Sequence, residues 1–257
     1  MTETALDRAH ASMGQDDAKR LAFFERVADS ELFLLLQKEA EGDQLSPEVF
    51  DLGDAKYVLV FDREDRLASF VGRPAPYAAL SGRVITQMLA GQGVGLGINL
   101  DVAPSSTLLP ADAISWLSET LAHAPDEVEA RPVEVAAPAG LPESLITALD
   151  TKLAMAVGLA RIAYLVAVEY EGGAKSHMLA IIGAAAGAES ALAKAVGEAL
   201  TFSGVEAGAL DVAFFAPSDP MAARLARVGL RFDLPQPEEP MTRSAPGSDP
   251  EKPPILR

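Results

Sequence analysis

The sequence predicts an α+β protein made of two α/β-type domains, each a small mixed sheet packed with helices. Three observations carry that expectation. Apolar residues alternate between helical and strand periods from residue 18 to 123. A stretch from 124 to 140, with Pro125, Pro132 and Pro138 and several acids, breaks the periodicity. Beyond it the pattern reads strand, hairpin, strand, helix, strand, helix, the order of an α+β layer structure.

Taken in order, residues 1–17 read as a flexible N-terminus. DAKRLAFFERVA then sets Leu21, Phe24, Val27 and Ala28 on one helical face, with Asp16 or Asp17 as its cap. LFLLL is a continuous apolar run of the kind a buried strand carries, and EGDQLSP breaks the chain. PEVFDL and AKYVLVFD read as strands. REDRLASFVG is a short helix closed by Gly72, and YAALSG a short strand. RVITQMLAGQG is a helix with Val84, Ile85, Met88 and Leu89 inward and Gly91 at its end. LLPADAISWLSETLAH is a helix with Pro110 at a first-turn position and Ile114, Leu117 and Leu121 as its stripe.

The stretch 124–140 is a linker or a loosely held extended edge between the domain at 18–123 and the domain at 141–235. In the second domain a helix begins near Pro142. RIAYLVAVEY suits a strand buried on both faces, EGGAK a hairpin turn and HMLAIIGA the returning strand. A helix over 187–203, the strand GALDVAFFAP and the helix PMAARLARVGL follow, and RFDLP closes the domain. Residues 236–257 are rich in proline and poor in apolar mass, the composition of a disordered tail.

Composition excludes several function classes. The 257 residues include no cysteine, so thiol catalysis, disulfides, cysteine-ligated zinc and iron–sulfur clusters are out. Against 21 basic residues stand 37 acidic ones, a net charge of −16. Nucleic-acid affinity rests on phosphate neutralisation, and this charge opposes it as it opposes adsorption to anionic lipid. The polar start lacks a signal-peptide core and no apolar run reaches membrane length, so a cytoplasmic protein is expected. The acidity itself serves solubility, or provides a face for a basic partner.

GVGLGINLD, residues 93 to 101, tests for nucleotide chemistry. A dinucleotide loop needs G-x-G-x-x-G after a strand and opening a helix. Here Gly91, Gly93, Gly95 and Gly97 alternate with larger residues, neither Leu96 nor Ile98 can replace the required third glycine, and the stretch follows a helix. There is no Gly-Lys-Ser/Thr. The structural account makes Val94 to Leu100 a strand, with the small residues at 95 and 97 admitting a close neighbour.

Other chemistry-bearing residues do not assemble into a motif. His10, His123 and His177 share no metal-ligand spacing. Neither Ser81 nor Ser190 sits in G-x-S-x-G. Asp62, Glu64 and Asp65 in FDREDR are adjacent carboxylates that can divide acid and base roles, yet such a turn more commonly solvates a strand end and caps the next helix. Trp116 reads as a half-buried packing residue.

The order of the helix at 17–28, LFLLLQKE, KYVLVFDREDRLASFV, a middle helix, GVGLGINL and LLPADAISWL resembles the N-terminal domain of the SseB family. AYLVAVEY, the hairpin, the isoleucine-rich return, a helix and LDVAFF are similar to that family's C-terminal domain. The likeness covers roughly residues 18–236. One departure is that Asn99 is followed by Leu100 and Asp101, where the family commonly has Asn-Pro. The family name reflects altered serine tolerance, and the resemblance implies a fold but no catalytic residue or cofactor.

No catalytic, cofactor-binding or metal residue is therefore assigned, and no cofactor. The expected role is a non-enzymatic one through contacts with a protein partner, without nucleic acid or membrane, and with homo-oligomerisation left open. The rivals are an enzyme or a small-molecule sensor with its site in the cleft between the two domains.

Overall fold

A computed structural model of the chain describes every residue except 1, 15, 43, 124–129, 206–209 and 238–257. The N-terminal segment is the first correction to the sequence reading. Residues expected to be flexible form α1 (Ala5–Met13), opened by a capping box: the Thr4 side chain accepts from the Asp7 N–H and the Asp7 carboxylate accepts from the Thr4 N–H. Leu6 is buried against Phe23 and Val27 of α2 (Asp17–Asp29), and the Asp16 side chain caps α2 as expected.

The strands and helices that follow are β1 (Glu31–Leu35), β2 (Val49–Asp51), β3 (Lys56–Phe61), α3 (Glu64–Val71), β4 (Tyr77–Ser81), α4 (Gly82–Leu89), β5 (Val94–Ile98), β6 (Thr107–Leu109) and α5 (Ala111–Ala122). The sheet runs β4-β1-β3-β5-β6. β2 pairs with the start of β3, on residues 56–58, and β1 with its end, on residues 60 and 61. β3 and β5 are parallel, while the remaining pairs are antiparallel. Alternation sends Leu32, Leu34, Val58, Val60, Leu96 and Ile98 to one face, under α1, α2, α4 and α5. Leu35, Leu59 and Phe61 meet Leu67 of α3 on the other face. Val84, expected inward on α4, is 41% exposed; Ile85 and Leu89 carry that helix's buried stripe instead.

The alternating glycines have a steric reason. A Cβ at Gly95 would lie 2.5 Å from the Leu109 carbonyl oxygen and 2.6 Å from the Tyr57 ring, and one at Gly97 2.6 Å from Leu59. The expected strand is observed, but it ends at Ile98 rather than Leu100, because the backbone turns at Asn99.

The second domain contains β7 (Pro132–Ala136), α6 (Glu143–Met155), β8 (Ile162–Tyr170), β9 (Lys175–Ile182), α7 (Glu189–Phe202), β10 (Asp211–Phe215), α8 (Pro220–Val228) and β11 (Leu230–Asp233). Its sheet runs β10-β9-β8-β11, with β7 also on β8. β9 and β10 are parallel. β8 is buried on both faces: Ala163 and Leu165 lie under α6 and α7, Tyr164, Val166 and Val168 under α8. Of the stretch read as a linker or an extended edge, residues 124–129 lie outside the described residues. Residues 132–136 are the edge strand β7, paired with β8 across a register shift between Pro132 and Glu134. The tail expectation falls almost entirely outside the described residues; within them, Gln236 donates to the carbonyls of Ala160 and Leu234.

The domains touch through side chains. Phe202 of α7 is buried with Ala28 of α2 and Leu117 and Leu121 of α5. Trp116, 38% exposed, stands edge-on to both Phe24 and Phe202.

Candidate functional site

The most chemically loaded place in the first domain is the crevice at the carboxyl ends of the parallel strands β3 and β5. Beyond β5 the backbone turns through Asn99 (φ 48°) and Asp101 (φ 58°), the two non-glycine residues with positive φ among those described. Such conformations are disfavoured for L-residues and tolerated best by Asn and Asp. The Asn99 N–H donates to Val60 O at 2.9 Å, and its Oδ1 accepts from the Asp62 N–H at 3.1 Å, so this side chain ties the two strand ends together. Its Nδ2 donates to Ser105 Oγ at 2.9 Å.

Onto this floor α3 delivers Arg66 and α1 delivers Asp7. Both are 1% exposed. Arg66 Nη1 and Nη2 donate to the two Asp7 carboxylate oxygens at 3.0 and 2.5 Å, and Nη1 also donates to Asp62 at 2.8 Å. Ser105 Oγ donates to Asp7 at 2.6 Å, and Thr4 Oγ1 to Asp62 at 2.6 Å. Burial opposes ionisation of Asp7. The hydrogen bonds from Arg66, Ser105 and the Thr4 N–H outweigh it, and hold the carboxyl well below the usual carboxylate range. Arg66 Nε is buried with no hydrogen-bond partner among the described residues. The arrangement is built to hold a carboxylate, with guanidinium and hydroxyl donors fixed around it.

A second ionic cluster lies where the domains meet. Arg83 of α4 donates to Glu198 of α7 at 2.7 and 2.5 Å and to Asp29 of α2 at 2.6 Å. Lys152 of α6 reaches Asp29 at 2.5 Å and Glu198 and Glu25 at 3.2 Å. Burial raises the Glu25 carboxyl above its ordinary value, with Lys152 opposing the shift. Beside the cluster a cavity of about 250 Å³ is lined by Arg83, Thr86 and Gln87, by Ser118 and Leu121, and by Lys194.

An open groove of about 510 Å³ lies on the second sheet, at its hairpin end. Ala136 and Ala167 lie side by side in register, and Glu134, Glu169, Lys175 and His177 surround them.

A family model described as the SseB protein N-terminal domain matches residues 3–116. Over that span the chain is an SseB-type N-terminal domain. The matched span takes in α1, so the SseB domain begins earlier than the helix at 17, and it holds every member of the Asp7–Arg66 crevice. No curated protein and no solved structure matches the chain.

Within the SseB domain the carboxylates of FDREDR do not act together. Asp62 is buried on Arg66 rather than solvating the strand end, Asp65 pairs with Arg63 and Glu64 accepts from Tyr77. The helix cap position falls to Arg63, whose side chain makes no capping bond. Ser81 caps α4, accepting from the Val84 N–H. His10 packs edge-on to Phe23, His123 ends α5 and His177 lies on β9 against the Ala139 carbonyl. Among the described residues no group of three His, Cys, Asp or Glu side chains is placed to hold a metal, and no helix is long and apolar enough to cross a membrane. Sequence reasoning missed Asp7, Arg66 and Ser105. The Thr4-x-x-Asp7 capping box and the Asp62/Arg66 spacing of i,i+4 were the available signals.

Proposed function

We propose that this protein, with its SseB-type N-terminal domain, is a member of the SseB family that works by binding other proteins rather than by catalysis, in the cytoplasm, with its second domain acting as the SseB-type C-terminal domain. The observation that carries the reading is the groove on the second sheet. It is open, its Ala136 and Ala167 positions are small, and it is rimmed by side chains of both charges from β7, β8 and β9. An extended segment of a partner fits there, with the small floor admitting its backbone and Glu134, Glu169, Lys175 and His177 reading its side chains. The ionisable groups of the first-domain crevice support the same reading, because they neutralise one another instead of presenting a free acid or base.

The test is photocrosslinking from a residue at the groove rim, such as Ser176, in cells. A defined adduct lost on Ala167→Arg supports the reading. An unchanged adduct pattern in that variant, with its fold intact, counts against it.

A second reading is favoured by the inter-domain cavity, where Arg83 and Lys194 stand near Thr86 and Ser118. A small anion sensed there would tighten the two domains on each other. A thermal-shift screen of metabolites against wild type and Lys194→Ala separates the two readings.

A further inference from the structure

The crevice at the carboxyl ends of β3 and β5 is filled from outside the sheet. In open α/β sheets the carboxyl ends of parallel strands are where ligands are held, and β3 and β5 are the parallel pair of this sheet. The group that sits there is the Asp7 carboxylate, gripped by both Nη atoms of Arg66 and by Ser105 Oγ. That is a bidentate carboxylate receptor with a hydroxyl at one oxygen. Arg66 keeps one buried donor, Nε, without a partner.

The carrier of Asp7 is lightly built. α1 has nine residues, and a helix of that length does not persist alone in water. It is bounded by Gly14, at φ 46° and ψ −130°. Its apolar hold is Leu6, with Ala9 and Met13 partly buried. The seat itself, by contrast, is fixed by β3, β5 and α3.

We propose that this crevice is a carboxylate-binding site which the chain fills in cis with Asp7, and that its exchange ligand is a short amphipathic helical peptide carrying a carboxylate in its first turn. α1 shows what fits: an acid three residues after a capping Thr, and beside it an apolar stripe of Leu6, Ala9 and Met13. The site is distinct from the groove on the second sheet and does not depend on it.

The experiment uses full-length protein and a labelled peptide of residues 2–14, with an Asp7→Asn version of the peptide as control. In wild type the tethered α1 competes at an effective concentration on the order of millimolar. Full-length Asp7→Ala should therefore bind the acidic peptide about tenfold more tightly than wild type does, the factor a millimolar competitor gives at a dissociation constant of about 0.1 mM. It should also prefer the acidic peptide over the Asn peptide by a similar factor. Acetate should raise the melting temperature of Asp7→Ala beyond the effect of chloride at equal ionic strength. Arg66→Lys in the Asp7→Ala background should erase the discrimination, whereas Ala167→Arg should leave it unchanged. Equal binding of the two peptides, or no binding by a folded Asp7→Ala, overturns the proposal. If Asp7→Ala does not fold, the isosteric Asp7→Asn protein takes its place in the same comparison, with the same overturning result.

Discussion

Arg83 and Glu198 form a two-pronged ion pair, at 2.7 and 2.5 Å, between a helix of the first domain and a helix of the second. Glu198 is 5% exposed and the Arg83 side chain about a third. Removing one partner of a fully buried pair costs about 3–5 kcal/mol, while exposed pairs contribute about 0–1. Arg83→Ala should fall between, at roughly 1–3 kcal/mol by those bounds. Urea unfolding checks this, and the transition should broaden or split as the domains lose their coupling. An unaltered single transition with an unchanged midpoint would show that the pair holds nothing together.

The close approach at Gly82 gives a sharper expectation. A Cβ there would sit 1.9 Å from the Val27 carbonyl oxygen, which is backbone of α2 and cannot rotate away. Gly82→Ala should destabilise by about 1–3 kcal/mol, the usual range for overpacking, and Gly95→Ala similarly. Neither variant should change affinity for ATP or NAD, which isothermal titration should show to be absent in wild type as well.

Thr4→Ala removes the helix cap and the hydrogen bond to Asp62 together. Loss of a cap costs about 0.5–2 kcal/mol. Amide exchange should accelerate across α1 while the strands of the first sheet keep their protection. Acceleration spread evenly over the sheet would mean that α1 and the core open as one unit.

The two acids with shifted carboxyls give opposite pH responses. Asp7 is held ionised below its ordinary value, so its stabilisation is full above about pH 4, the unfolded carboxyl range, and is lost as pH falls toward the folded value. The stability gap between wild type and Asp7→Asn should therefore narrow below about pH 4. Glu25 is raised by burial, so its ionisation opposes folding above its folded value, and the opposition fades on acidification and is gone below about pH 4.3, where both states become protonated. Glu25→Gln should accordingly be more stable than wild type at pH 7, with the advantage shrinking on acidification. Melting curves across pH 3–8 for the three proteins test both signs.

The periodic elements were legible because their signals are local. Val27 and Ala28 on α2, Ile114, Leu117 and Leu121 on α5 and both faces of β8 stand buried where the pattern put them. Val84 was misread because a helical stripe is wider in sequence than the surface its partner covers. The crevice was hidden for a different reason. Asp7 and Arg66 lie 59 positions apart, and their meeting depends on α1 folding back over the sheet, which no local period encodes. The inter-domain ion pair is more remote still, with 115 positions between Arg83 and Glu198. β7 was obscured by Pro132, which opens the strand, and by the register shift that follows it.

Two strands of the second domain, β7 and β11, share one edge of β8. β11 pairs with residues 162–165 of β8 and β7 with residues 167–170, so the two lie end to end along one edge and point the same way. The chain enters at Pro132 beside Tyr170 and leaves at Asp233 beside Ile162, at opposite ends of β8. Tension applied between those two points slides β7 and β11 lengthwise in opposite directions along β8. The backbone bonds of each seam then share the load at once instead of opening one after another. A hairpin pulled from its tip has no such sharing. Pulled between Pro132 and Asp233, the second domain should therefore resist stretching more than a hairpin opened from its tip.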